Sequence, residues 1–168
     1  MKILLHGASG VMGKNVQEVA SEHPDCSIVA GVDRGIHAEE SSAFPVYSDI
    51  QKVKEDFDVI IDFSVKEAVD SLLAFAVEKK KALVLCTTGL SETQLEKIEE
   101  AGRTIPILQS GNMSLGINVL EELLRIAAGK LYQEGFDVEI VEAHHRRKKD
   151  APSGTALMLE KAVEESVG

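Results

Sequence analysis

The chain has 168 residues, 44% of them hydrophobic and 27% charged, a balance that excludes a disordered or fibrous protein. That length suits one good hydrophobic core, or one core and the start of a second. A formal charge of −10 argues against nucleic acid as a partner, no apolar run is long enough for a membrane span, and no leader pattern precedes the first apolar segment, so a cytoplasmic protein is expected.

In chain order, residues 2–5 form a short apolar run that ends in a glycine cluster, and residues 11–21 carry Met12, Val16, Val19 and Ala20 at helical spacing. A strand over 27–32, with Asp33 at its end, closes a strand–helix–strand unit. Residues 35–56 are less regular, with one short edge strand at 44–47. The grammar then repeats: strand 59–62, helix 66–80, strand 82–85, helix 91–101 capped by Ser91, and strand 105–108. Continuous apolar strands alternating with helices predict a parallel sheet covered on both faces, wound with right-handed crossovers. After Gly111 the character changes to a helix over 116–131, an alternating strand over 136–143 and a last helix over 154–166. Cys26 and Cys86 lack the spacing of a disulfide framework or thiolate metal site, and both are expected to be buried as small apolar side chains.

The turn Gly7-Ala8-Ser9-Gly10-Val11-Met12-Gly13 lies between a predicted strand and a predicted helix, the context that gives a glycine pattern its meaning. A pyrophosphate needs bare backbone N–H groups and the positive end of a helix at close range, and glycines at 7, 10 and 13 supply both. Asp33 stands twenty residues after Gly13, where an acid accepts hydrogen bonds from the adenosine ribose, so NADH is favoured. The neighbouring Arg34 suits the 2′-phosphate of NADPH, so some tolerance of that cofactor is expected. These features describe an α/β, Rossmann-type doubly wound domain over residues 1–111, followed by a partial α+β substrate domain over 112–168.

Cys86-Thr87-Thr88-Gly89 and Ser110-Gly111-Asn112-Met113 each follow a predicted strand at its carboxyl end, where open α/β sheets bind ligands; they are candidates for the nicotinamide ribose and carboxamide. The segment from Glu142 to Ala156 is the most informative. His144 and His145 stand beside Arg146, Arg147, Lys148 and Lys149, and Pro152-Ser153-Gly154-Thr155 starts the last helix, which together make an anion site with proton donors. The adjacent histidines lack the helical spacing of a zinc pair and have no evident third ligand, so no metal is expected.

With the run from His144 to Lys148, then Asp150 to Ala156, the glycine turn, Thr87-Thr88-Gly89 and Asn112 to Gly116, the chain resembles the 4-hydroxy-tetrahydrodipicolinate reductases, formerly dihydrodipicolinate reductases, along essentially its whole length. The resemblance implies reduction of 4-hydroxy-tetrahydrodipicolinate to tetrahydrodipicolinate by NADH or NADPH, on the route to diaminopimelate and lysine. It implies that His144 is the proton donor or acceptor and Lys148 the second donor. His145, Gly154 and Thr155 would hold a carboxylate of the small cyclic substrate, and the assembly would be a homotetramer. Family members are longer, so a C-terminal part is expected to be missing here, and Cys86 stands where the family often has glycine. Two rivals remain: a dinucleotide-binding fragment without turnover, and another Rossmann oxidoreductase sharing the turn but independent of His144 and Lys148.

Overall fold

The computed structural model describes residues 1–34, 43–146, 148 and 151–168. Their contacts divide the chain into two compact units, Met1–Ser110 and Gly111–Gly168. No helix of the described residues is long and apolar enough to cross a membrane.

Unit 1 is a six-stranded sheet. Its strands are β1 (Lys2–His6), β2 (Ser27–Val32), β3 (Val46–Tyr47), β4 (Val59–Asp62), β5 (Ala82–Leu85) and β6 (Ile107–Gln109), and its helices are α1 (Val11–Glu22), α2 (Val69–Lys79) and α3 (Glu92–Gly102). Every pairing is parallel and the spatial order is β3-β2-β1-β4-β5-β6, so the order reverses between β1 and β4. That reversal opens a crevice beyond the carboxyl ends of the two central strands. The register sets His6 opposite Asp62 and Leu4 opposite Ile60.

The core follows from the helical stripe as much as from the strands. Val69, Leu72, Leu73 and Ala76 recur on one face of α2 and are buried, and they pack with Leu4, Ile60 and Leu83 of the sheet. Phe75 stacks on Phe57 with ring centroids 6.0 Å apart, and Lys79 and Lys81 lie over the two rings. Ser91 caps α3 in a complete capping box with Gln94.

Several boundaries differ from the sequence expectation. The helix expected over 66–80 begins as a single 3-10 turn, Lys66–Ala68, before α2. The expected strand 105–108 starts two residues later, because Pro106 has no N–H to offer the ladder, although its carbonyl accepts from Leu83 N–H. Cys86 is buried, but Cys26 is only half-buried, its thiol near the carbonyls of Ala20 and His23 just past α1.

Unit 2 departs from the sequence expectation at one element, the strand over 136–143. Its described residues form two helices, α4 (Leu115–Gln133) and α5 (Gly154–Val167), packed against each other, and the segment expected as a strand over 136–143 joins no ladder among the described residues. Alternation marks the two faces of a strand, but only hydrogen bonding to another strand makes one, and unit 2 offers none among the described residues. Ala128 and Ala162 are its buried apolar residues, and the helices approach so closely that a Cβ on Gly129 would lie 2.9 Å from the Ser166 carbonyl oxygen.

Candidate functional site

The glycine turn joins β1 to α1. Gly7 has φ +83°, and a Cβ there would run into the Phe63 carbonyl, while a Cβ on Gly13 would run into the Gly7 carbonyl, so both glycines are demanded by the fold. Gly10 differs: it has an ordinary φ of −71°, and its nearest obstruction is the Gly7 carbonyl at 3.4 Å. Its bareness serves whatever approaches from outside. Gly10 also starts α1 with no side-chain cap and no acid in the first turn, which leaves the positive end of the helix open to an anion.

His6, Gly7, Gly10, Asp33, Arg34 and Ser64 line one cavity of about 660 Å³. Asp33 Oδ2 accepts from Ser9 N–H at 2.9 Å, which fixes the acid at the glycine turn, and Arg34 is exposed beside it. Ala8 is buried, and Ser9, Val11 and Met12 are exposed. The bare turn, the uncapped helix and the acid at the end of β2 fit a dinucleotide.

Beneath this turn lies a polar cluster that sequence reasoning missed. Asp62 is fully buried at the end of β4 and accepts from His6 Nδ1 at 2.8 Å, Thr87 Oγ1 at 2.6 Å and Ser64 N–H at 3.3 Å. The available signal was an aspartate ending an apolar strand and a histidine directly before the glycines. Thr87 is buried with its hydroxyl committed to Asp62, whereas Thr88 is exposed and Ser110 half-buried. Burial, and then the Asp62 charge, push the Cys86 thiol up to about 11, so it is no nucleophile at neutral pH.

Unit 2 gathers a second set. Asn112 Nδ2 donates to Thr155 Oγ1 at 2.9 Å, so a candidate cofactor residue and a candidate substrate residue meet although forty-three positions separate them. Gly111 is half-buried, Met113 exposed and Gly154 half-buried. Ser153 caps α5 by accepting from Ala156 N–H at 3.0 Å. Glu142, which carries no role in the sequence reading, bridges the group: Oε1 accepts from Ser153 N–H at 2.9 Å and Oε2 lies 2.8 Å from His144 Nε2. The Ser153 donors first, and His144 after them, hold the Glu142 carboxyl down at about 2. An ionised carboxylate only accepts, so His144 Nε2 carries the hydrogen and Nδ1 is the nitrogen left for chemistry. Exposed His145 accepts from Lys148 N–H at 3.1 Å, closing a turn, while Arg147, Lys149 and Asp150 lie outside the described residues. No set of three or more His, Cys, Asp or Glu side chains converges as metal ligands among the described residues.

Comparison with known proteins gives concordant matches. The family model described as "Dihydrodipicolinate reductase, N-terminus" matches residues 1–113, and its C-terminus counterpart matches 116–168. The 4-hydroxy-tetrahydrodipicolinate reductase of Caldanaerobacter subterraneus is 52% identical over 163 residues, covering 97% of this chain and 63% of that protein. The Clostridium novyi protein of the same name is 42% identical, with 99% and 65% covered. The chain therefore spans a little under two thirds of the length of the curated relatives it matches. Among solved structures, a dipicolinate-bound dihydrodipicolinate reductase from Paenisporosarcina has the same fold, with a TM-score of 0.79, 23% identity, and 99% of this chain and 66% of that one covered.

Proposed function

The chain belongs to the dihydrodipicolinate reductase family, and from that premise we propose that it reduces 4-hydroxy-tetrahydrodipicolinate to tetrahydrodipicolinate with NADH or NADPH, in the cytoplasm, on the route to diaminopimelate and lysine. What supports the reading is, within unit 1, a bare glycine cradle and Asp33 on one cavity and, within unit 2, a hydrogen-bonded His144 in the segment that precedes a capped helix start.

Residues 7–13 and the start of α1 receive the pyrophosphate, and Asp33 accepts from the adenosine ribose, with Arg34 extending tolerance to NADPH. Backbone around Cys86 and Thr87, with Thr88, Ser110, Gly111, Asn112 and Met113, serves the nicotinamide end. Since Thr87 donates to Asp62, its contribution there is through main chain. The bound nicotinamide supplies the hydride. In unit 2, His145 and the Gly154-Thr155 backbone at the N-terminus of α5 hold a substrate carboxylate. Glu142 fixes the His144 tautomer, His144 Nδ1 exchanges a proton with the substrate, and Lys148 is the second donor. A proton source within hydrogen-bond reach stabilises the negative charge that reduction builds on the ring.

The deciding experiment titrates NADH into the protein with and without pyridine-2,6-dicarboxylate, a planar mimic of the substrate, following nicotinamide fluorescence. Binding of NADH that tightens with the mimic supports the reductase reading. Binding of NADH that ignores the mimic supports instead a dinucleotide-binding fragment without turnover.

A further inference from the structure

The first turn of an α-helix carries N–H groups that have no partner inside the helix. In α5 they can be followed one by one. Ser153 N–H goes to Glu142 Oε1, Ala156 N–H to Ser153 Oγ, and Leu157 N–H to the Ser153 carbonyl. Gly154 N–H and Thr155 N–H make no hydrogen bond among the described residues. These two are the main-chain donors left for the substrate carboxylate of the proposed function.

Thr155 has one more polar group, its hydroxyl, and Asn112 decides what that hydroxyl can do. Ser114 N–H can only donate, so the Asn112 atom it meets at 2.8 Å is the amide oxygen, Oδ1. The other branch of the amide is then Nδ2, which has hydrogens and no acceptor capacity, and it lies 2.9 Å from Thr155 Oγ1. Thr155 Oγ1 is therefore the acceptor in that bond, and its own hydrogen stays free of Asn112. The amide is held in this sense from α4 as well. Asn118 Nδ2 donates to the Asn112 carbonyl at 3.2 Å and to the Ser114 carbonyl at 2.7 Å, which pins residues 112–114 to the first turn of that helix.

We propose that Asn112 is a substrate-positioning residue that acts through Thr155. By giving its Nδ2 hydrogen to Thr155 Oγ1 it commits the hydroxyl to donate outward, so that Gly154 N–H, Thr155 N–H and the Thr155 hydroxyl together hold one carboxylate of the cyclic dicarboxylate. That duty rests on the carboxylate reading of unit 2, and it gives a candidate cofactor residue a part at the substrate end. A hydroxyl that accepts one hydrogen bond is polarised into a stronger donor of the next, so the Asn112 contact and the carboxylate contact reinforce each other. Aspartate at the same position reverses the arrangement. One carboxylate oxygen still accepts from Ser114 N–H, but the other takes the Thr155 hydroxyl hydrogen away from the substrate.

The test is a double-mutant cycle on the affinity for pyridine-2,6-dicarboxylate, measured by calorimetry with NADH present, in the unaltered chain, Asn112→Asp, Thr155→Val and the variant carrying both. Thr155→Val is expected to weaken the mimic about tenfold, as on losing a hydrogen bond to a charged acceptor, and Asn112→Asp at least as much. Thr155→Ser keeps the hydroxyl and should bind the mimic almost as the unaltered chain does. In the double variant the two factors should not multiply: once the hydroxyl is gone, Asn112→Asp retains only the smaller effect of its added negative charge. An equal factor for Asn112→Asp with and without the hydroxyl overturns the proposal and leaves the carboxylate reading standing, since an Asn112 that merely holds the backbone acts alike in both backgrounds. A Thr155→Ser loss as large as that of Thr155→Val overturns it too. A mimic that does not bind the unaltered chain overturns the carboxylate reading and this inference together. Should Asn112→Asp fail to fold, the side-chain amide proton resonances of Asn112 in the unaltered chain decide: a shift on adding the mimic supports the contact through Thr155, and unmoved signals overturn it.

Discussion

Unit 1 and unit 2 draw on similar apolar side chains and bury them very differently. In unit 1 the strands and α2 close over Leu4, Ile60, Leu72, Phe75 and Leu83, each at most 1% exposed. In unit 2 Leu115, Leu123, Ile126 and Phe136 remain more than half exposed, and the tightest contact runs through small residues where α4 meets α5. The difference lies in partners. The parallel ladder of unit 1 brings helices back over the sheet, whereas the described residues of unit 2 are two helices packed on each other and a segment that joins no ladder. The candidate residues are held accordingly: those of unit 1 stand at strand ends, and those of unit 2 are tied by hydrogen bonds from Glu142, Asn112 and Ser153.

The sharpest way to break that contrast is Phe75→Ala, which removes a stacked ring from a closed core and should cost unit 1 about 3–5 kcal/mol in urea unfolding; a loss below 1 kcal/mol would mean the core is not closed. In unit 2, His144→Gln should lower kcat by about 10²-fold with NADH affinity unchanged, as expected on losing a proton donor. Unaltered turnover would remove His144 from the chemistry. Asp33→Ala in unit 1 should weaken NADH about tenfold and NADPH less, since a ribose hydrogen bond to a charged acceptor is worth about 1.5–3 kcal/mol. Equal weakening of both cofactors would remove the ribose role.

Glu142 offers a pH test confined to unit 2. Its carboxyl is held at about 2, below the ordinary 4.5, by Ser153 and His144. The folded value is the lower one, so its contribution to stability is fully present above the ordinary value and is lost as pH falls towards about 2. Acid unfolding followed by the helix signal should show that loss in the unaltered chain and lack it in Glu142→Gln. The smallest effect is expected from Leu123→Ala on α4, which is 57% exposed; its stability should stay within about 0.5 kcal/mol, and a core-sized loss would show that this face is covered in solution.

The sequence by itself determined the parallel α/β plan of unit 1, the glycine turn with Asp33 at the end of β2, and the family. Those features are written in local signals: apolar runs, helical periods, and glycines at fixed spacing between a strand and a helix. Tertiary structure decided what depends on partners distant in sequence. Strand 136–143 was legible as a pattern, yet a pattern does not supply the neighbouring strand that would make it a ladder. Asn112 meets Thr155, and Glu142 reaches both Ser153 and His144, because α5 turns back in unit 2. His6, Asp62 and Thr87 are ordinary letters until the order β1-β4-β5 lays their strand ends side by side. Periodicity reports which way a residue faces, while hydrogen bonding between strands sets which residues meet there.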